Sequence, residues 1–174
     1  MRQTIGVMGS GTHEHDECAR PLGGLIASLG ADLLTGGGGG VMRAVSRAYT
    51  SYPGARGVCI GVLPCASEED RLSAKPGYPN EFVEIVIRTH LPFSGVRGED
   101  DLSRNHINIL SSAAIVALPG EAGTLSEIAL AIRYGRPIAG FALDAALLEA
   151  FPPSVRRLRD LRDVERFLRA SLQI

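Results

Sequence analysis

The sequence predicts a Rossmann-like α/β fold, a mostly parallel sheet with helices on both faces, in one domain spanning residues 1–174. Three observations predict it. Short apolar runs suited to strands buried on both faces recur along the chain, helical stretches separate most of them, and glycine turns follow three of the runs.

The elements follow in order. A strand is expected over residues 5–8, closed by Gly9-Ser10-Gly11, and a helix over 16–29 with Pro21 in its first turns, where a missing N–H is tolerated. The apolar run 31–35 ends in Gly36-Gly37-Gly38-Gly39-Gly40 and feeds a helix over 40–50. Strands over 58–63 and 82–87 come next, then a helix over 101–111. The strand 114–118 leads into Pro119-Gly120-Glu121-Ala122-Gly123-Thr124 and a helix over 123–134; a sixth strand is expected over 137–141. Val155, Leu158, Leu161, Val164 and Phe167 recur at helical spacing and predict a last helix over 155–172. The polar stretches 67–80 and 92–100 read as long loops near the sheet edge, where lids occur.

Composition narrows the function classes. The chain of 174 residues is 45% hydrophobic, enough for a core without disulfides or a structural metal. A net charge of -1 and 5% aromatic content argue against nucleic acid, which needs a basic footprint and stacking platforms. Cys18, Cys59 and Cys65 form no C-x-x-C pair, which fits a reducing cytoplasm, and no apolar run approaches the roughly 18 residues of a membrane span. Lys75 is the only lysine among 18 basic residues and sits in a turn-like Ala-Lys-Pro-Gly context, a poor place for the Schiff-base lysine of a pyridoxal phosphate enzyme.

Chemistry is expected at the carboxyl edge of the parallel strands, where the three glycine turns fall. Glycines there leave backbone N–H groups open to a phosphate, and the helix that follows adds the positive end of its dipole. Gly9, Ser10, Gly11, Gly36, Gly37, Gly38, Gly39, Gly40, Met42, Gly120, Gly123 and Thr124 are therefore the phosphate- or ligand-binding candidates. The first turn lacks the third glycine of a dinucleotide fingerprint, Glu14 standing in its place, and strand two ends in glycine rather than a ribose-binding acid. A nicotinamide dehydrogenase is disfavoured.

Two further residues are expected to converge on that edge. A helix of about 10 residues at 1.5 Å each matches a five-residue strand at about 3.3 Å each, so the antiparallel return carries Arg104 back to Pro119. Glu127 follows Thr124 by three residues and shares its helix face. The pair could do general-acid or electrostatic work on a glycosidic bond, or could simply be an ion pair at a helix start. His13 and His15 invite a metal, but residues two apart share one only in an extended loop, and Asp16 reads as a helix cap; no metal site is expected.

Over residues 5–141 these motifs resemble the LOG (LONELY GUY) superfamily, and within it the branch of molybdenum cofactor carrier proteins. The resemblance is carried by Gly6-Val7-Met8-Gly9-Ser10-Gly11, Thr35-Gly36-Gly37-Gly38-Gly39-Gly40-Val41-Met42, Ile60-Gly61-Val62-Leu63-Pro64, Ser103-Arg104-Asn105 and Leu118-Pro119-Gly120-Glu121-Ala122-Gly123-Thr124-Leu125-Ser126-Glu127. It implies a homodimer or homotetramer and one of two ligands: a phosphorylated pterin, the molybdenum cofactor, in the carrier branch, or AMP or a cytokinin riboside monophosphate in the phosphoribohydrolases. In those hydrolases Arg104 and Glu127 fall on catalytic positions. A lysine decarboxylase is not expected, given the single lysine.

This chain departs from the hydrolase pattern twice. Asn105 stands where those enzymes carry lysine, and is kept as a ligand-binding candidate; Glu121 replaces the second glycine of their P-G-G run. A carboxylate about 4 Å from a phosphate charge is opposed by about 4 kcal/mol at an effective dielectric of 20. If position 121 also required positive φ, a side chain there would add about 1–2 kcal/mol. The sequence therefore favours a binding or carrier role over hydrolysis.

Overall fold

The computed structural model describes residues 2–174. Strand β1 (Thr4–Met8) lies at the centre of a seven-stranded sheet in which every neighbouring pair is parallel. It is flanked by β2 (Asp32–Thr35), with Gly6 beside Leu34, and by β5 (Ala114–Ala117), with Gly6 beside Ile115. The chain steps outward from β2 to β3 (Cys59–Leu63) and β4 (Ile85–Arg88), then returns to β5 and steps the other way through β6 (Ile138–Phe141) and β7 (Arg156–Leu158). Strand order reverses between β1 and β5, and in a parallel sheet that crevice is where ligands bind.

Helices α1 (Asp16–Ser28), α2 (Val41–Thr50) and α5 (Leu161–Leu172) cover one face; α3 (Asn105–Ser111) and α4 (Ala122–Arg133) cover the other. Side chains alternate across each strand. Ile5 and Val7 accordingly pack with Leu22, Ile26, Val45 and Leu168, while Met8 turns to Ile109 and Leu130. No helix among the described residues is long and apolar enough to cross a membrane.

The ends of several elements differ from expectation. Strand β4 starts at Ile85 rather than 82, because Asn80 holds residues 82 and 83 in a turn through Phe82 N and Val83 N. Helix α3 starts at Asn105 rather than 101, after a turn in which Ser103 N donates to Asp100 O and Asn105 N to Ser103 Oγ.

The last expected helix is in fact a strand followed by a helix. Val155 and Leu158 lie three apart, which places them on one face of a helix but on opposite faces of a strand. Val155 packs with Leu148 and Phe151, while Leu158 joins the core under α5. Asp160 then starts α5 by accepting from Arg162 N at 2.8 Å. The cap expected at Asp16 is also absent: His15, with φ 43°, precedes α1, and Asp16 is its first residue, paired with Arg47 at 2.9 Å.

Candidate functional site

The turn after β1 organises the crevice. Ser10 is 1% exposed, and its backbone bonds both neighbouring turns: Ser10 N donates to Pro119 O at 3.1 Å and Ser10 O accepts from Val41 N at 2.9 Å. Its hydroxyl accepts from Thr12 N and His13 N and donates to Glu121 Oε1 at 2.9 Å. One hydroxyl has one proton and two lone pairs, so these bonds use its whole capacity.

Two glycines in the second turn could be nothing else. Gly37 has φ 75° and Gly40 φ 56°; a side chain would strike Leu63 at the first and Ser10 O at the second. Asn80, 6% exposed, clamps this turn from the loop before β4, its N donating to Gly37 O at 2.8 Å and its Nδ2 to Gly38 O at 2.9 Å. The N–H groups of Gly39, Gly40 and Met42, at the start of α2, donate to no protein acceptor among the described residues. The same holds for Ala122 and Gly123 at the start of α4.

Arg104 and Glu127 meet as the spacing predicted. Arg104 Nη1 lies 3.3 Å from Glu127 Oε1 and 3.0 Å from Asn105 Oδ1, and the guanidinium lies against Gly36, which has no room for a Cβ. Glu127 also accepts from Asn108 Nδ2 at 3.3 Å. Burial pushes the Glu127 carboxyl up from its ordinary value, opposed by Arg104 and Asn108. Arg104 Nε is buried without a partner among the described residues, so the arginine is not fully satisfied by protein.

Glu121 sits just before α4 with φ −92°, an ordinary extended conformation, so the positive φ considered from the sequence is not required there. Its side chain makes no capping bond to the helix. The Ser10 hydroxyl lowers its carboxyl, with desolvation opposing and His13, 3.5 Å away, adding a smaller pull. Glu121 therefore stands ionised at the mouth of the crevice.

A cavity of about 160 Å³ lies between these groups. Of the residues singled out in the sequence, Gly9, Gly11, Gly36, Met42, Arg104, Asn105, Gly123, Thr124 and Glu127 line it. Ser10, Gly37, Gly38, Gly39, Gly40 and Gly120 do not; they build the wall behind it. Gly120, for instance, has its Cα facing the Thr124 hydroxyl and Ser10 N too closely for a side chain.

Sequence reasoning did not single out Val7, Met8, Tyr78, Ser94 and Gly95 among the lining residues, nor Asn80 behind them, and it took Glu121, which also lines the cavity, as an obstacle to phosphate. Tyr78 lies against Gly38, where an added Cβ would come within 2.6 Å of its ring. The available signal was an aromatic residue in an otherwise polar loop beside a sheet edge. The Ser126 hydroxyl lies 3.1 Å from the Gly95 carbonyl and 2.9 Å from that of Gly123, and its one proton is shared between them.

Comparison with known proteins gives this site a context. The profile of the SLOG cluster4 family matches residues 2–167. The chain belongs to the SLOG cluster4 family. Another protein similar to this SLOG cluster4 chain is an uncharacterized protein of Archaeoglobus fulgidus, 33% identical over 137 residues that cover 78% of this chain and 77% of that one. Among solved structures, the molybdenum cofactor binding protein of Rippkaea orientalis superposes with a TM-score of 0.76 at 30% identity, covering 99% of this chain and 98% of its own. The molybdenum cofactor carrier protein of Chlamydomonas reinhardtii superposes with a TM-score of 0.71 at 27% identity over 100% of both chains.

Proposed function

We propose that this SLOG cluster4 protein binds a phosphate-bearing pterin or nucleotide-like ligand in the β1/β5 crevice, in the manner of a molybdenum cofactor carrier. The observation that carries the reading is the undonated N–H groups of Met42 and Gly123, two cavity-lining residues at the dipole-positive starts of α2 and α4. Arg43 pairs with Glu14 and Glu81 and Arg47 with Glu14 and Asp16, while Arg104, on the cavity wall, pairs with Glu127 but keeps its Nε without a partner among the described residues. Backbone amides and the helix dipoles thus supply positive potential alongside Arg104.

The donor set suits such a ligand. Amides take the phosphate, Met8, Val7 and Met42 offer an apolar wall to a fused ring, and Asn105 and Glu121 offer polar contacts. Pockets that bury a drug-sized ligand run to about 300–1,000 Å³. With about 160 Å³ enclosed, the ligand extends through the mouth beside Glu121 or displaces Tyr78. The molybdenum cofactor would be cargo whose metal chemistry is used elsewhere; the chain's residues bind it, orient it and exclude water.

Calorimetry with molybdenum cofactor and with AMP tests the reading. Saturable binding of either supports it, and no heat above background at millimolar ligand overturns it. Hydrolysis of an N-glycosidic bond is the second reading, favoured by the desolvated Glu127 carboxyl on the cavity wall. It requires release of free base and ribose 5-phosphate from AMP or a cytokinin riboside monophosphate, lost in Glu127→Gln; no release across these substrates removes it.

A homodimer or homotetramer belongs to the same reading. Strand β4 leaves Ile85, Val86 and Ile87 each about two-fifths exposed, with values of 45%, 39% and 41%, whereas parallel sheets are normally covered on both faces. Sedimentation as a monomer at micromolar concentration would contradict it.

A further inference from the structure

Strand β4 ends the sheet with its outer edge unpaired. Thr89 N donates to Leu63 O at 3.2 Å, and backbone groups alternate sides along a strand, so Ile85 and Ile87 bond β3 while Val86 and Arg88 turn their N–H and C=O groups outward. A free edge of this kind is a template for another strand unless charges or a cover protect it. The exposed apolar residues Ile85, Val86 and Ile87 run along this one, and its charges are confined to the two ends, Glu84 and Arg88.

Neither end charge has an ionic partner among the described residues. Glu84 Oε2 accepts from Cys59 N at 2.8 Å, which leaves the other oxygen without a donor. Arg88 makes no side-chain hydrogen bond, and the cavity of about 320 Å³ that it lines with Arg71, Leu72 and His90 has no carboxylate in its wall. The nearby acids are occupied: Asp70 accepts from Leu72 N and Ser73 N, and Glu68 faces Arg97.

The segment Glu84-Ile85-Val86-Ile87-Arg88 is complementary to itself. Turned antiparallel about a two-fold axis through Val86, it sets Glu84 against Arg88 twice and Ile85 against Ile87 twice, and Val86 exchanges N–H···O=C bonds with Val86 of the second copy. Only alternate residues face outward, so the nearest other alignments lie two residues away, and they set Arg88 or Glu84 against Val86 instead. Beyond the strand, residues 82 and 83 of the second copy run past Arg88 toward Leu72, which is 94% exposed.

We propose that two copies of this chain join through β4 in that register, making one continuous sheet across both. The pairing rests on the proposed homo-oligomer and names the surface that builds it. The two crevices then lie about 40 Å apart, at about 4.8 Å per strand, and open on opposite edges of the joined sheet. Each takes its ligand without help from the other copy.

Sedimentation velocity of the full chain at micromolar concentration tests the pairing. The native protein is expected to sediment as a dimer or tetramer. Arg88→Glu sets like charges against each other at both ends and is expected to weaken the association at least tenfold, turning dimer into monomer or tetramer into dimer. Glu84→Arg combined with Arg88→Glu restores opposite charges and should recover the native size. Val86→Pro removes only an outward N–H, a change that an edge strand tolerates, and should also halve the assembly while far-ultraviolet circular dichroism stays native. An assembly that all these variants leave at native size overturns the β4 pairing and leaves the homo-oligomer standing. Loss in Arg88→Glu without recovery in a folded double variant overturns the register. A native protein that sediments as a monomer overturns both the pairing and the homo-oligomer.

Discussion

Arg104 Nη1 and Glu127 Oε1 stand 3.3 Å apart with side chains only 5% and 10% exposed, joining the start of α3 to the first turns of α4. Charges so deeply buried are tolerated only as a pair, since each alone would lose its hydration without return. The ion pair is thus a joint between two helices as well as a wall of the crevice.

Arg104→Ala is expected to cost about 3–5 kcal/mol, the usual effect of leaving one buried charge unpaired. Arg104→Met combined with Glu127→Leu should recover most of that loss. Urea denaturation of the three proteins measures it; a double variant no more stable than Arg104→Ala would show that packing rather than charge is at stake.

The raised carboxyl of Glu127 has a pH signature. The folded protein keeps this proton at pH values where the unfolded chain, titrating near 4.5, has already lost it. Its contribution is therefore fully present below the unfolded value and is lost as pH rises through the folded one. Relative to Glu127→Gln, the native protein should lose stability as pH rises above about 4.5. Urea midpoints from pH 4 to pH 8 check it, and a flat or rising difference contradicts it.

Gly40 and Gly54 make a matched pair. Both have positive φ, 56° and 76°, but a side chain meets Ser10 O at Gly40 and open space at Gly54. Gly54→Ala should cost about 1–2 kcal/mol, the conformational penalty alone. Gly40→Ala should cost more and also abolish ligand binding, readable as a thermal midpoint that no longer rises with ligand.

Tyr78 rests on Gly38 at the cavity wall and belongs to a loop, so its removal should act on ligand escape rather than folding. Tyr78→Ala is expected to speed dissociation of bound molybdenum cofactor or nucleotide about tenfold, with Tyr78→Phe close to native. Stopped-flow competition distinguishes this from an unchanged rate.

Six of the seven strands were legible because strands buried on both faces leave apolar runs, and the glycine turns marked where those runs reach the binding edge. Strand β7 was hidden by arithmetic: Val155, Leu158 and Leu161 repeat every three residues, and that repeat suits a helix even though Asp160 interrupts it. Arg104 and Glu127 could be brought together by length and spacing alone. Tyr78 and Asn80 could not, since irregular loops follow no period and their arrival over the glycine turn depends on hydrogen bonds such as Asn80 Nδ2 to Gly38 O. Glu121 was visible and its repulsion of phosphate could be argued, but the bond that holds its carboxylate could not, because its partner Ser10 is 111 residues away.

Ser10 carries a longer-range implication. Gly40 abuts its carbonyl and Gly120 its N–H, and the two turns touch the same residue from opposite halves of the chain. A substitution in either turn moves Ser10 and so changes what the other can accept. Mutations at positions 40 and 120 will not add independently, and descendants of this sequence can alter one turn only along routes the other permits. The two turns answer to mutation as one unit.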